Sequence, residues 1–559
     1  LADLVNYTVT LKNKEDLDSF YEDMETEGGS ITIPNRMVET PNRRPISRNT
    51  QYMLTYEEAE QVKQDERVLD VIPTAFLEMK VPFWTEDMDF LAKNGTQDNR
   101  DRNWGFYTST QSQDLRGLAW GNDGLVSEIS RTINVNGSGK NVDVVIMDGH
   151  VDPDHPEYAI NQDGTGGTRV VQYNWFQHDV GSGTGTYLYS PLAKYGDNHG
   201  AHVAGTACGN THGWARSANI YNLNPYGQTG VLNGDLGAVL WDYVRAWHAA
   251  KSVNVSTGRK NPSIVNCSFG SAIQWNVTVN GNVYGPIYRI FYRGGDTGDL
   301  SGQAGGGATA AQLDANGIFN GFGTQPVIPF FSNADLADIT DAIAEGIIIV
   351  AAAGNEYARV VDSTDQDYNN TFRADFNGNP FTLTYHRGTA PGAIPGVICV
   401  GSLDYTVDQR KSSFSNTGSR IDVFAPGTRI QSAVNDTSDS TGSGAVQDSR
   451  DSNYLVKKIN GTSMASPQVC GVLACVMETF PNLTAQEALD MIVEFSAEGF
   501  MRDDGASASD LEALQGAPNR ILVSPKFRPE TGSAFPMRKY KLRPTVGIAY
   551  PRTRIRRKG

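Results

Sequence analysis

From about residue 141 to residue 495 the chain alternates short apolar runs with longer stretches of helical apolar spacing. This alternation constrains the fold more than any other feature. It predicts strands at 142–147, 220–223, 263–267, 346–352 and 396–400, and helices at 201–208, 237–251, 334–345, 463–479 and 484–495. Strand–helix–strand order calls for a mostly parallel sheet covered by helices on both faces, an α/β three-layer fold. In such sheets sites lie beyond the carboxyl ends of the strands. Asp148 directly follows the first strand, and Asn355 follows another through Gly354.

With 559 residues, 39% of them hydrophobic, the chain supports a large core and more than one domain. No run approaches the roughly 18 apolar residues of a membrane span, so none is expected. A net charge of −16 argues against a nucleic-acid-binding body. The five cysteines (Cys208, Cys267, Cys399, Cys470 and Cys475) are odd in number and sparse, which reads as buried thiols rather than a disulfide framework.

Three stretches carry chemistry. Gly461 to Pro467 is a turn opening a helix, with Ser463 at its start and Pro467 expected in the first turn. A serine there has its own N–H free at the positive end of the helix dipole. Asp197 to Thr206 is a glycine-flanked His199 opening another helix, and Val142 to Gly149 is an apolar strand ending in Asp148. An imidazole can take the serine proton at neutral pH and return it, and an aspartate can hold its other ring nitrogen.

The order Asp148, His199, Ser463 is joined by further blocks: Trp104-Gly105, Asn266 to Gly270, Ala351 to Glu356, Ser412 to Asn416 and Asp422 to Gly427. Together they make the chain resemble subtilisin-like serine proteases, the subtilases, over roughly residues 104 to 500. The resemblance implies a serine endopeptidase acting on polypeptides through an Asp148–His199–Ser463 triad. It implies an oxyanion hole of the Asn355 side chain and the Ser463 N–H. Ser268, Phe269 and Gly270, with Ala352, Ala353 and Gly354, would supply backbone for an extended substrate strand. His202 and His155 read as structural, and Gln468 stands where the family usually has His. No cofactor is required for the chemistry. Metal ligands are not assigned, and structural calcium stays open, with 362–379 an Asp- and Asn-rich loop suited to it.

Residues 1–73 read as a small ferredoxin-like α/β unit resembling a subtilase propeptide, which implies an intramolecular inhibitor. Residues 74–103 read as a linker, with any activating cut between Pro73 and Trp104. Residues 104–525 form the expected catalytic domain. Its largest insertion, 271–332, contains Trp275, Tyr284, Tyr288, Phe291 and Tyr292, enough aromatics for a subdomain beside the cleft. Residues 526–559 carry eleven Lys and Arg against Glu530 alone and read as an extended basic arm, either docking on an acidic surface of its own body, of a partner or assembly, or on nucleic acid, or remaining a solvated tail. The rival reading is a structural or assembly protein, such as a virion component, that keeps the fold as a scaffold with restricted or no proteolysis. An extracellular or assembly-associated setting is expected rather than a membrane one.

Overall fold

The computed structural model describes residues 4–26, 37–38, 40, 43–44, 46–73, 104–110, 135–178, 180, 198–224, 240–270, 272–275, 277–279, 282–303, 306–318, 327–376, 379–405, 409–436, 445–503 and 512–525. The linker expected at 74–103 and the basic arm at 526–559 lie outside the described residues.

The central sheet runs in the order Ala497–Glu498, Arg520–Ile521, Val423–Pro426, Ile398–Leu403, Ile348–Ala352, Ser263–Cys267, Asp143–Met147, Asn219–Leu223, Val170–Val171. All its neighbours are parallel except the first pair. Successive side chains of one strand enter different cores, which is why the strands are apolar without alternation. Val144 and Ile146 pack with Val203, Met464, Val469 and Val472 on one face. Val145 and Met147 pack with Leu240, Val244, Ile339 and Ala342 on the other. The first layer therefore holds the helices His199–Cys208 and Thr462–Thr479, and the second holds Leu240–Ala250 and Asn333–Ala344. The Thr462–Thr479 helix is buried from Thr462 to Met477, so it is apolar all round rather than amphipathic.

At the N-terminus, Val5–Leu11 lies between Asn49–Leu54 and Val68–Pro73, antiparallel to both. The helices Leu17–Glu25 and Tyr56–Val62 cover one face around Val9, Leu11, Phe20, Leu54 and Val62. A complete ferredoxin-like unit has four strands, and three are present among the described residues. The other face rests on the outer helices of the body. Arg44 is fully buried there, its Nε donating to Asp242 Oδ2 at 2.8 Å and its Nη2 to Asp338 Oδ2 at 2.9 Å. Ser47 Oγ donates to Asp338 Oδ1 at 2.6 Å, and Asn49 Nδ2 donates to the Ala334 carbonyl at 2.9 Å.

The 271–332 insertion does not pack alone. Its strand Ile287–Tyr292 pairs with Thr371–Phe376 from the next long loop, which pairs in turn with Asn379–Thr384. Trp275, Ile287 and Ile290 share a core with Phe372, Ala374 and Tyr385. Phe291, counted as a core aromatic, instead lies under the guanidinium groups of Arg289 and Arg373, 5.1 and 5.5 Å from its ring centre.

Candidate active site

Asp148 is the first residue past the Asp143–Met147 strand, and its N–H reaches the Leu223 carbonyl at 3.1 Å. Its Oδ1 accepts the Gly149 N–H at 2.7 Å and His199 Nδ1 at 2.7 Å. A carboxylate oxygen that accepts both leaves the ring proton on Nδ1, so Nε2 carries the basic lone pair. His199 opens its helix with a side chain 13% exposed, against 4% for Asp148. Gly200 makes this approach feasible. A Cβ there would fall 2.1 Å from the Gly149 carbonyl oxygen, so the helix start meets the Asp148–Gly149 turn backbone to backbone. Asn222 Nδ2 holds the same Gly149 carbonyl at 2.9 Å, and Tyr158 Oη donates to the Ala201 carbonyl at 2.6 Å.

His202 and His155 do a different job. His202 Nε2 bonds the Ile430 and Lys457 carbonyls at 2.8 and 3.0 Å, and His155 Nε2 bonds the Leu455 carbonyl at 2.9 Å. Carbonyls only accept, so these rings are donors pinning the hairpin Ile430–Asp436/Tyr454–Ile459 to the body. Burial pushes His202 down to about 3, which keeps it neutral. Among the described residues no group of three or more His, Cys, Asp or Glu side chains is placed to hold a metal ion. In the 362–379 loop two of the carboxylates have cations already. Asp365 is paired with Arg359, and Asp367 with both Arg359 and Arg293.

Gly461 is the N-cap of the serine helix, and Ser463 is its second residue, so the Ser463 N–H has no partner within the helix. Pro467 is the sixth helical residue, not a first-turn residue as its sequence context suggested. Its missing N–H is the one that would have bonded the Ser463 carbonyl. Ser268 fills that role, its Oγ donating to the Ser463 carbonyl at 2.8 Å. The same hydroxyl is 2.9 Å from both Asn266 Nδ2 and Ser466 Oγ, which uses its one donor and both acceptor positions. The Ser463 hydroxyl in turn donates to the Ser268 carbonyl at 3.0 Å. Sequence reading gave Ser268 only a backbone role; the proline four residues past Ser463 was the available signal.

Asn355 is reached through Gly354, whose φ of +104° is a conformation open to glycine. Its Oδ1 accepts both the Thr462 N–H and the Thr462 hydroxyl at 2.9 Å. The Thr462 N–H can only donate, so that end of the amide is the carbonyl and the Nδ2 hydrogens face elsewhere. Asn355 and the Ser463 N–H are thereby tied together through Thr462. The Ala353 N–H is committed to the Val400 carbonyl at 3.0 Å, and the Gly354 N–H to Thr462 Oγ1 at 3.3 Å. Residues 352–354 were expected to pair with an extended strand. At Ala353 and Gly354 these N–H groups are spent internally, and both carbonyls accept from Asn416, so these two residues present a surface rather than a ladder edge. Across from it, Phe269 is buried, and Gly270 lies against Thr389, where a Cβ would sit 2.4 Å from the Thr389 methyl.

The chain is 24% identical over 322 residues to Subtilisin-like protease 3 of Arthroderma otae, covering 58% of this chain and 53% of that protein. It is 24% identical over 355 residues to subtilisin amylosacchariticus of Bacillus subtilis subsp. amylosacchariticus, covering 64% and 60%. The chain thus spans between about half and three fifths of the length of these relatives. Similar solved structures include a cold adapted subtilisin-like serine proteinase (22% identity, 76% of this chain and 100% of that one, TM-score 0.41). Fervidolysin from Fervidobacterium pennivorans is another (18% identity, 93% and 60%, TM-score 0.47). The family model described as the subtilase family matches residues 139–516, and the chain belongs to that family.

Proposed function

We propose that this chain is a serine endopeptidase. Ser463 Oγ attacks the peptide carbonyl, His199 Nε2 takes its proton and returns it to the leaving amine, and Asp148 stabilises the imidazolium through Nδ1. The Ser463 N–H and Asn355 Nδ2 bind the tetrahedral oxygen, and Ser268 to Gly270 receive the extended substrate. The observation that carries this reading is the 2.7 Å Asp148–His199 bond, with the tautomer set by the Asp148 carboxylate that the Gly149 N–H holds, in the layer that also holds Ser463. In the captured state the Ser463 hydroxyl rests on the Ser268 carbonyl, and attack requires it to rotate towards His199 Nε2. A scaffold that had lost proteolysis would have no use for these groups together, which disfavours the assembly reading.

Subtilases need no cofactor for catalysis, and many bind structural calcium. We place no calcium in the 362–379 loop, since Arg293 and Arg359 already neutralise Asp365 and Asp367. Residues 1–73 act, in this proposal, as the intramolecular inhibitor, anchored by Arg44. The basic arm at 526–559 is kept as a docking segment for an acidic surface. Fluorophosphonate labelling of the full chain and of Ser463→Ala, read by intact mass, tests the reading. Labelling that vanishes in Ser463→Ala supports it. A folded chain that never labels, before or after a cut between Pro73 and Trp104, leaves the scaffold.

A further inference from the structure

The oxyanion segment must hold its shape without a regular ladder, because it leaves the sheet at Ala352 and turns at Gly354. One fully buried side chain holds both sides of that turn. Asn416 Nδ2 donates to the Ala353 carbonyl at 2.8 Å and to Glu356 Oε2 at 2.7 Å. Asn416 Oδ1 accepts the Glu356 N–H at 3.1 Å and the Ala358 N–H at 2.8 Å. The Asn416 backbone N–H adds a bond to the Gly354 carbonyl at 3.0 Å. Both amide hydrogens and both oxygen lone pairs are used, all on residues flanking Asn355. The fit is close: a Cβ on Gly354 would fall 2.3 Å from Asn416 Nδ2.

We infer that Asn416 is a positioning residue for the oxyanion donor, setting where the Asn355 amide stands relative to the Ser463 N–H. The inference rests on the endopeptidase reading of Asn355 and adds to it a residue that touches no substrate. Asn355 is held at two levels: its side-chain oxygen by Thr462 and its backbone by Asn416. A donor aimed at a developing charge loses its effect when displaced by a fraction of an ångström, so loosening the second level should reach the reaction through Asn355 alone.

The test uses a fluorophosphonate, whose phosphoryl oxygen occupies the oxyanion position and whose reaction does not depend on peptide preference. Rates of Ser463 labelling are measured for the full chain, Asn416→Ala, Asn416→Asp, Asn355→Ala and the Asn355→Ala/Asn416→Ala double variant. Asn355→Ala should slow labelling by about 10²–10³, and Asn416→Ala by about 10–10². In the double variant the Asn416 substitution should add less than about threefold, because the group it positions is gone. Asn416→Asp keeps the shape and the acceptor oxygen but sets a carboxylate against both Glu356 and the Ala353 carbonyl. Adding Glu356→Gln supplies a donor across the first contact, and labelling should recover at least tenfold relative to Asn416→Asp alone. Multiplying effects in the double variant, with no recovery from the exchanged pair, would overturn the inference while leaving the protease reading intact. Absence of labelling in the unsubstituted folded chain would overturn both. Circular dichroism and thermal midpoints show that each variant compared is folded.

Discussion

The cleft and the seam under the N-terminal unit are both built on buried carboxylates facing a nitrogen base, yet they serve opposite ends. In the cleft, one carboxylate meets one imidazole, whose side chain is partly open to solvent. In the seam, two carboxylates enclose a guanidinium that does not titrate, and Ser47 and Asn49 add further donors to Asp338. Neutralising the cleft pair should change the chemistry and leave the fold. Removing one partner of the seam should loosen the fold and leave the chemistry.

The largest effect expected is on rate. Asp148→Asn replaces the carboxylate by an amide whose NH2 can face His199 Nδ1 and set the wrong tautomer, and turnover of an unfolded protein such as casein should fall by about 10⁴. The thermal midpoint should stay within a few degrees. A collapse of the midpoint along with the rate would break the contrast. Arg44→Met comes next. It leaves Asp242 and Asp338 buried without their cation, a loss of about 3–5 kcal/mol of local stability. Amide exchange in Val5–Leu11 and Asn49–Leu54 should speed up accordingly, while labelling at Ser463, once the unit is displaced, should match the unsubstituted chain.

Where the sequence was legible and where it was not follows the same division. Strands, helices and the Asp148, His199, Ser463 and Asn355 blocks are local patterns, readable because period and turn chemistry act over a few residues. Arg44 was not legible. Its neighbours in sequence carry no period or motif that marks it, and its partners Asp242 and Asp338 lie 198 and 294 residues away. Asn416 was visible as part of a block but not as the hub of another segment. The insertion's aromatics announced a subdomain, yet Phe372, Ala374 and Tyr385 of its core come from a loop some 80 residues later, which no composition count reveals. Pro467 was misplaced by one turn because the helix begins at Thr462, and the misplacement hid the role of the Ser268 hydroxyl.

Glu157 sharpens the contrast from the acid side. It is completely buried and joins the turn after the histidine helix to the hairpin ahead of the serine helix. Burial alone would raise its pKa, but His212, Arg450 and the Thr211 and His212 N–H groups outweigh it and bring the carboxyl down to about 2. A depressed carboxyl contributes stability that is complete above its ordinary value near 4.5 and lost as pH falls towards 2. The loss should be about 3 kcal/mol. Glu157→Gln should lower stability at neutral pH and flatten that acid limb, read by denaturant midpoints from pH 6 downward. An unchanged acid limb would mean that Glu157 is not the clasp between the two helices.

The smallest effect belongs to the 362–379 loop, which resembles the seam in pairing aspartates with arginines but lies nearer solvent. The Arg293 side chain is 44% exposed, so its pair with Asp367 is screened, unlike that of Arg44. Asp367→Asn should therefore cost about 1 kcal/mol, read as a small fall in denaturant midpoint. Because the cations here are arginines, a chelator should leave the loop's protection from proteolysis unchanged. A chelator-induced cut between residues 362 and 379 would show that a metal competes with the arginines for these carboxylates. The loop would then differ from the seam in kind and not only in exposure, since its cation would be exchangeable where Arg44 is covalently part of the chain.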